Sequence, residues 1–324
     1  MVAKLLARGD AVRVFDLLPA AHPAVESIVG DVGNVRALQL ATDGCDSVIH
    51  AAAAVPLARD ADLFARVNVQ GTRNVLAAAR AAGVGKTVVV SSSAVYGAPT
   101  VLPVTMATLP QPLEAYGRSK RDADALALAA DQPVAVVRPR TVLGPGRSGL
   151  FGLLFAWVHA GKPVPLVGDG RAVYQFVHAE DLADACIAAA LQPGTGPWLV
   201  GSADPLPLGE LLRQFCAVAG TGSTVVRLPD RGVRSLLRVV AALPGGVIAP
   251  YHAQLYGKPL WFDTAQTCAG LGWRPQHSDL DALLASYQAY VAAGGQAAGS
   301  VHSRPLAAGW LGLAQVGLRG ILRR

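Results

Sequence analysis

Four short runs of β-branched residues, "AVRVF" (11–15), "SVIHA" (47–51), "TVVVS" (87–91) and "VAVVR" (134–138), alternate with Ala/Leu-rich stretches over the first 140 residues. The runs are nearly continuous in apolar character, so both faces of each strand must be covered. The stretches near 34–42, 59–82 and 115–130 are each long enough to cross over between parallel strands. Together these features constrain the chain to an α/β fold, a doubly wound, Rossmann-like parallel sheet with helices on both faces. Beyond about residue 140 the pattern loosens, and "GPGRSG", "GKPVPLVGDG", "QPGTGP" and "LPGG" punctuate shorter elements. The expected organisation is a sheet domain over 1–140 and a smaller substrate domain over 141–290, with some of its segments returning to the sheet. A basic, apolar tail over 291–324 completes the chain.

Charge and cysteine usage exclude several function classes. Of the formal net charge of +6, four units come from Arg304, Arg319, Arg323 and Arg324 in a tail without acids, which leaves +2 for the body. That balance argues against a nucleic-acid partner. Cys45, Cys186, Cys216 and Cys268 stand far apart with no C-x-x-C pair, so neither a metal cluster nor a disulfide framework is expected, and a reducing cytoplasm fits. The opening "MVAKLLARGDAVRVFD" lacks the long apolar core of a signal peptide. "PLAAGWLGLAQVGLRGILRR" is too short and Gly-rich to span a bilayer, but Trp310 with flanking arginines would suit peripheral membrane contact. A disordered tail is the other reading.

In open parallel sheets ligands bind outside the carboxyl ends of the strands. Asp16, Asp31, His50 to Ala54, Ser91 to Ser93, and Pro139 to Val142 all fall at such ends. Tyr116 and Lys120 stand four apart in "AYGRSKRDADALALAA", a helix-favouring stretch, so both side chains share one face. A neighbouring ammonium favours the phenolate of a tyrosine, and a serine hydroxyl opposite would hydrogen-bond the same substrate oxygen. These groups suit proton transfer coupled to hydride transfer.

The set "VIHAAA", "NVQGTRNVLAAARAAGVGKTVVVSSSAVYG", "YGRSK", "VVRPRTVLGPG" and "FVHAEDLADA", in this order, resembles the extended short-chain dehydrogenase/reductases. Within them it is most similar to the NAD-dependent epimerase/dehydratase group with its 3β-hydroxysteroid-dehydrogenase-like members, from residue 1 to about residue 290. The resemblance implies that Tyr116 is the catalytic acid/base and that Lys120 activates it and holds the nicotinamide ribose. It makes Ser92, four before Tyr96, the catalytic hydroxyl, with Ser93 as the alternative and Ser91 lining the cofactor. It puts Asp31 and Val32 against adenine and Ala51, Ala52 and Ala53 along the pyrophosphate and ribose, and Pro139, Thr141 and Val142 are further cofactor-binding candidates. Asp16 would accept from both adenosine ribose hydroxyls and repel a 2′-phosphate, so NAD is the expected cofactor. Ser93, Arg147, Arg171 and His178 are the candidate substrate contacts, no metal is expected, and the family's homodimers suggest the same here.

Family members begin with a strand and a glycine-rich phosphate-binding loop, and the chain opens inside the helix that follows them. The expectation is that this loop is either encoded upstream or lost. In nucleotide-sugar enzymes of the family an asparagine stands at the place of Thr141 and an arginine at that of Tyr174. Both departures favour a sterol-like or other apolar secondary alcohol over a nucleotide sugar as the small-molecule substrate. An epimerase or dehydratase of nucleotide sugars, and a non-catalytic nucleotide-sensing or scaffold protein, are the alternatives.

Overall fold

A computed structural model describes residues 1–56, 60–146, 151–229 and 258–295. The apolar runs form parallel strands. β1 (Arg13–Asp16) pairs with β2 (Glu26–Val29), while β3 (Ser47–His50), β4 (Lys86–Val90), β5 (Val134–Pro139) and β9 (Trp198–Val200) form a second sheet in that order. All six residues of β5 are buried, as a strand covered on both faces requires. Among the described residues no backbone pairing joins β1 to β3. The β1–β2 pair is held instead by side chains: α2 (Val35–Thr42) packs on α4 (Gly71–Ala81), and Phe15 and Val48 flank a cluster of Val32, Leu38, Val75 and Ala78.

The crossovers cover the two faces. α3 (Ala61–Phe64), a π-helical turn (Ala65–Gln70) and α4 carry the chain from β3 to β4, and α5 (Ala115–Leu128) carries it from β4 to β5. The second face is covered by α7 (Ala179–Leu191), against which α1 (Val2–Ala7) rests through a 2.9 Å bond from Lys4 Nζ to Asp184. The sequence predicts one helix over 59–82. Its path is interrupted by the π turn at Asn68, a residue poor in helix interiors whose side chain bonds outside the helix.

After β5 the chain builds a second core. β6 (Thr141–Leu143) pairs with β8 (Phe176–His178), and β7 (Val164–Val167) pairs with β10 (Val225–Leu228). Their side chains meet α6 (Gly152–His159), α8 (Leu208–Ala219) and α10 (Asp279–Ala292) around Phe155, whose ring lies 5.8–6.4 Å from those of Phe151, Phe215, Tyr287 and Tyr290. α9 (Ala265–Leu271) precedes α10 and packs on β9, with Leu271 and Trp273 buried. No helix among the described residues is long and apolar enough to cross a membrane. Arg147 and the tail from residue 296 lie outside the described residues.

Phe155→Ala is expected to lower the unfolding free energy by about 3–5 kcal/mol, because a fully buried ring leaves a cavity that the surrounding strands and helices cannot close. Urea titration of both proteins measures this.

Candidate active site

The three hydroxyls after β4 go three ways. Ser91 continues the ladder through its N–H to Val137 O at 2.7 Å, and its side chain is buried. Ser92 is extended and half-buried, and its Oγ caps the short 3₁₀ turn Ser93–Tyr96 by accepting from Ala94 N at 3.1 Å. Ser93 is buried and accepts a 2.7 Å bond from Arg140 Nη1. Of the three, Ser92 is the one that is only half-buried.

Beside this turn stands the first turn of α5. Glu114 caps it, accepting from the N–H groups of Tyr116 and Gly117 at 2.7 Å each. Gly117 permits a close approach: a Cβ there would sit 2.6 Å from Ala94 O in the serine turn. Tyr116 is 9% exposed and meets Phe64 edge-on at 5.7 Å. One turn further, Lys120 is 3% exposed and donates from Nζ to Val90 O, the last residue of β4, at 2.7 Å. Burial pushes this lysine down to about 8, and the charge of Asp124 pulls it back up. Tyr116 therefore packs against Ala94 of the serine turn, and Lys120 reaches the carboxyl end of β4 just before it.

Asn68 joins the group without having been predicted. Its Oδ1 accepts from Ala54 N at 2.8 Å, and its Nδ2 donates to Ala54 O at 3.1 Å and to Ser119 Oγ at 3.0 Å. Ser119 in turn donates to Tyr116 O at 2.7 Å. The sequence signal was an asparagine inside an otherwise helical "RVNVQGTRNVL". His50 hydrogen-bonds Thr72 Oγ1 at 3.0 Å, and burial together with the Lys120 charge pushes it down to about 3, so it is a neutral strand-end residue.

The remaining predicted cofactor residues ring the same strand ends. Asp16 is exposed at the end of β1, where its Oδ1 accepts from Leu18 N at 3.2 Å. Asp31 shapes the next turn by accepting from Gly33 N at 2.7 Å, and buried Val32 is fixed through its carbonyl by Asn74 Nδ2 at 2.9 Å. Ala51 and Ala52 are exposed and Ala53 is half-buried, leaving the main chain after β3 open. Pro139 is buried at the end of β5, and Thr141 and Val142 are half-buried in β6. An exposed carboxylate, small side chains and a buried ammonium fit the adenosine and nicotinamide ends of NAD. The described residues include no glycine-rich turn for its pyrophosphate.

On the substrate side, Thr141 Oγ1 lies 3.1 Å from Tyr174 OH. Arg140, 1% exposed, lies between the rings of Tyr174 and Phe262 at 4.7 and 5.6 Å. Its guanidinium opposes the burial that pushes Asp279 up to about 6. His178 is buried, accepts from Glu180 N at 3.2 Å as the cap of α7, and stacks on His277 at 3.9 Å. Arg171 sits in an exposed turn beside Asp169, whose Oδ1 accepts from its N–H at 3.0 Å.

The Lys120 environment has a thermodynamic consequence. Its folded value of about 8 lies below the ordinary 10.5, so between these limits Lys120 holds fewer protons in the folded state than in the unfolded chain, and its contribution to stability rises with pH. That contribution should be on the order of 3 kcal/mol across the window, opposed in its upper part by Cys186, whose thiol burial pushes up to about 12. Lys120→Met should remove the Lys120 contribution alone, read as the difference between the two proteins in urea titrations on either side of the window.

Three comparisons bear on the family and the fold. The model of the NAD dependent epimerase/dehydratase family matches residues 1–201. The chain is 39% identical to an uncharacterized protein of Sinorhizobium fredii, y4nG, over 98% of this chain and 82% of that one. It is 29% identical to the 3 beta-hydroxysteroid dehydrogenase/Delta 5-->4-isomerase of Mycobacterium tuberculosis, over 90% and 86% of the two chains. The Bordetella bronchiseptica enzyme WbmG, crystallised with NAD and UDP, superposes with a TM-score of 0.72 at 24% identity over 94% of each chain, which establishes likeness of fold. With its parallel sheet, its serine turn and the Tyr116–Lys120 helix, the chain belongs to the NAD dependent epimerase/dehydratase family.

Proposed function

We propose that the protein moves hydride between bound NAD and the carbinol carbon of an apolar secondary alcohol of the 3β-hydroxysteroid kind, with Tyr116 carrying the hydroxyl proton. The observation that carries this reading is that Tyr116 and Lys120, buried on one face of α5, reach Ala94 of the serine turn and the end of β4 respectively, beside the half-buried Ser92. NAD, when bound, supplies the hydride acceptor. Asp16 would hold the adenosine ribose, Asp31 and Val32 the adenine, Ala51 to Ala53 the central portion, and Ser91, Lys120 and Pro139 to Val142 the nicotinamide side. Tyr116 as phenolate takes the alcohol proton during oxidation and returns it during reduction. The Lys120 ammonium stabilises that phenolate, and Ser92 donates to the substrate oxygen.

The similarity to the mycobacterial steroid dehydrogenase supports an apolar substrate. So does the Thr141–Tyr174 hydrogen bond, which joins the two positions where nucleotide-sugar enzymes of the family carry asparagine and arginine. A nucleotide-sugar epimerase is the second reading, favoured by the fold likeness to WbmG. Residues 141–290 form the substrate-bearing unit, consistent with their separate aromatic core. Ser93 and His178 would act on the substrate through the positions of their neighbours, since both side chains are engaged internally. A homodimer through α4 and α5, and a cytoplasmic location consistent with four free cysteines, complete the reading.

The test is NADH formation by the full chain offered NAD and 3β-hydroxysteroids, with UDP-hexoses assayed beside them by chromatography of the epimerised product, since epimerisation returns the hydride and forms no net NADH. Turnover of sugars alone would select the second reading, and turnover of neither would favour a nucleotide-sensing protein. In the active pair, Tyr116→Phe should reduce turnover by at least about a hundredfold while NADH fluorescence titrations stay close to wild type. Asp16→Asn should weaken NAD by roughly tenfold to a hundredfold, because a charged hydrogen bond contributes about 1.5–3 kcal/mol, and should erode discrimination against NADP. An unchanged NAD/NADP ratio would make Asp16 a turn residue only.

A further inference from the structure

Tyr116, Lys120 and Asp124 recur every fourth residue along α5, and all three are buried. The Asp124 side chain is 3% exposed, and its Oδ2 accepts a 2.8 Å bond from Nε of Arg138, itself 4% exposed on β5. Arg138 donates onward from Nη1 to Tyr96 OH at 2.7 Å, with its guanidinium 5.2 Å from the centre of that ring. Tyr96 belongs to the serine turn. One carboxylate thus connects the helix that carries Tyr116, the central strand β5 and the turn that carries Ser92.

A buried ion pair is poor evidence for a stabilising role, since two apolar residues often do as well. The arrangement here is also lopsided. Arg138 engages only one carboxylate oxygen. Oδ1 is buried without a hydrogen bond of good geometry, as is the Ser91 hydroxyl, which lies close enough to favour the carboxylate's charged form. Lys120, one helical turn away, is buried against a neutral carbonyl. The charged and titratable groups around it are His50 at the end of β3, Tyr116 and Asp124 on α5, and, beyond Asp124, Arg138 on β5 and Tyr96 in the serine turn. His50 is neutral and Arg138 repels, so Asp124 supplies the attraction.

We infer that Asp124 is a positioning residue of the Tyr116 site: its carboxylate, anchored by Arg138, keeps the buried Lys120 ammonium charged one turn from Tyr116. The inference rests on the reading of Tyr116 and Lys120 as the proton-transfer pair. Its test needs neither NAD nor substrate, so the two can fail separately.

The chain contains five lysines, Lys4, Lys86, Lys120, Lys162 and Lys258, so ¹³C-lysine NMR can follow each titration, with the Lys120 signal assigned by Lys120→Met. Lys120 should titrate near 8 in the wild-type protein. Asp124→Asn should lower that midpoint by about one pH unit or more, and Asp124→Glu should restore most of it. Asp124→Asn leaves Arg138 buried and unpaired and can destabilise the fold, so Asp124→Asn/Arg138→Gln is measured beside it. The double variant should keep a lowered midpoint. A wild-type midpoint in either folded variant would overturn the inference and reduce Asp124 to a counter-ion for Arg138. In the assay of whichever substrate is turned over, the pH at which kcat/KM declines on the alkaline side should move down with the Lys120 midpoint. A uniform loss at all pH values would also overturn it.

Discussion

Burying the Lys120 ammonium costs free energy, and much of the surrounding architecture can be traced to offsetting that cost. The buried lysine donates from its head to Val90 O at the end of β4, and a carboxylate stands one helical turn away. The carboxylate would itself be costly to bury alone, which accounts for Arg138 at the end of an otherwise apolar strand. Arg138 in turn needs an acceptor for Nη1, and Tyr96 supplies it from the serine turn. A chain of requirements therefore runs from one charged head group through α5 and β5 to the loop that presents Ser92. The same desolvation that makes the lysine expensive also brings it into the range where it responds to neutral pH.

A second set of hydrogen bonds fixes where α5 sits. Asn68 turns the crossover helix into a π turn, and its amide holds both main-chain groups of Ala54 and reaches Ser119. Glu114 closes the N-terminus of α5, and Gly117 allows it to touch Ala94 O. The Tyr116 ring itself packs with Ala54, Phe64 and Ala94, meeting Phe64 edge-on. Polar side chains thus set the distance between helix and turn, and apolar packing fills the remainder.

A second buried arginine, Arg140, carries the link toward the other core. It reaches Ser93 and lies between Tyr174 and Phe262, so the serine turn is held from the sheet side by Arg138 and from the second core by Arg140. The two arginines flank Pro139 in "VVRPR", and charged residues at the end of so apolar a strand were the available signal that a buried network begins there. What they bond to was not readable, because their partners lie 14 and 47 residues away along the chain.

The sequence by itself determined the alternation of apolar strands and crossover helices, the strand ends at which functional groups collect, and the shared helical face of Tyr116 and Lys120. These follow from local periodicity, which needs no knowledge of distant contacts. It also placed α2 and α5 to within a few residues. Tertiary structure alone decided the directions of the three serines, the π turn at Asn68, the use of His178 as a helix cap stacked on His277, and the pairing of Asp124 with Arg138. Each depends on which buried polar group finds a partner from another element. Desolvation makes an unpartnered group costly, but only the folded arrangement says which partner is within reach.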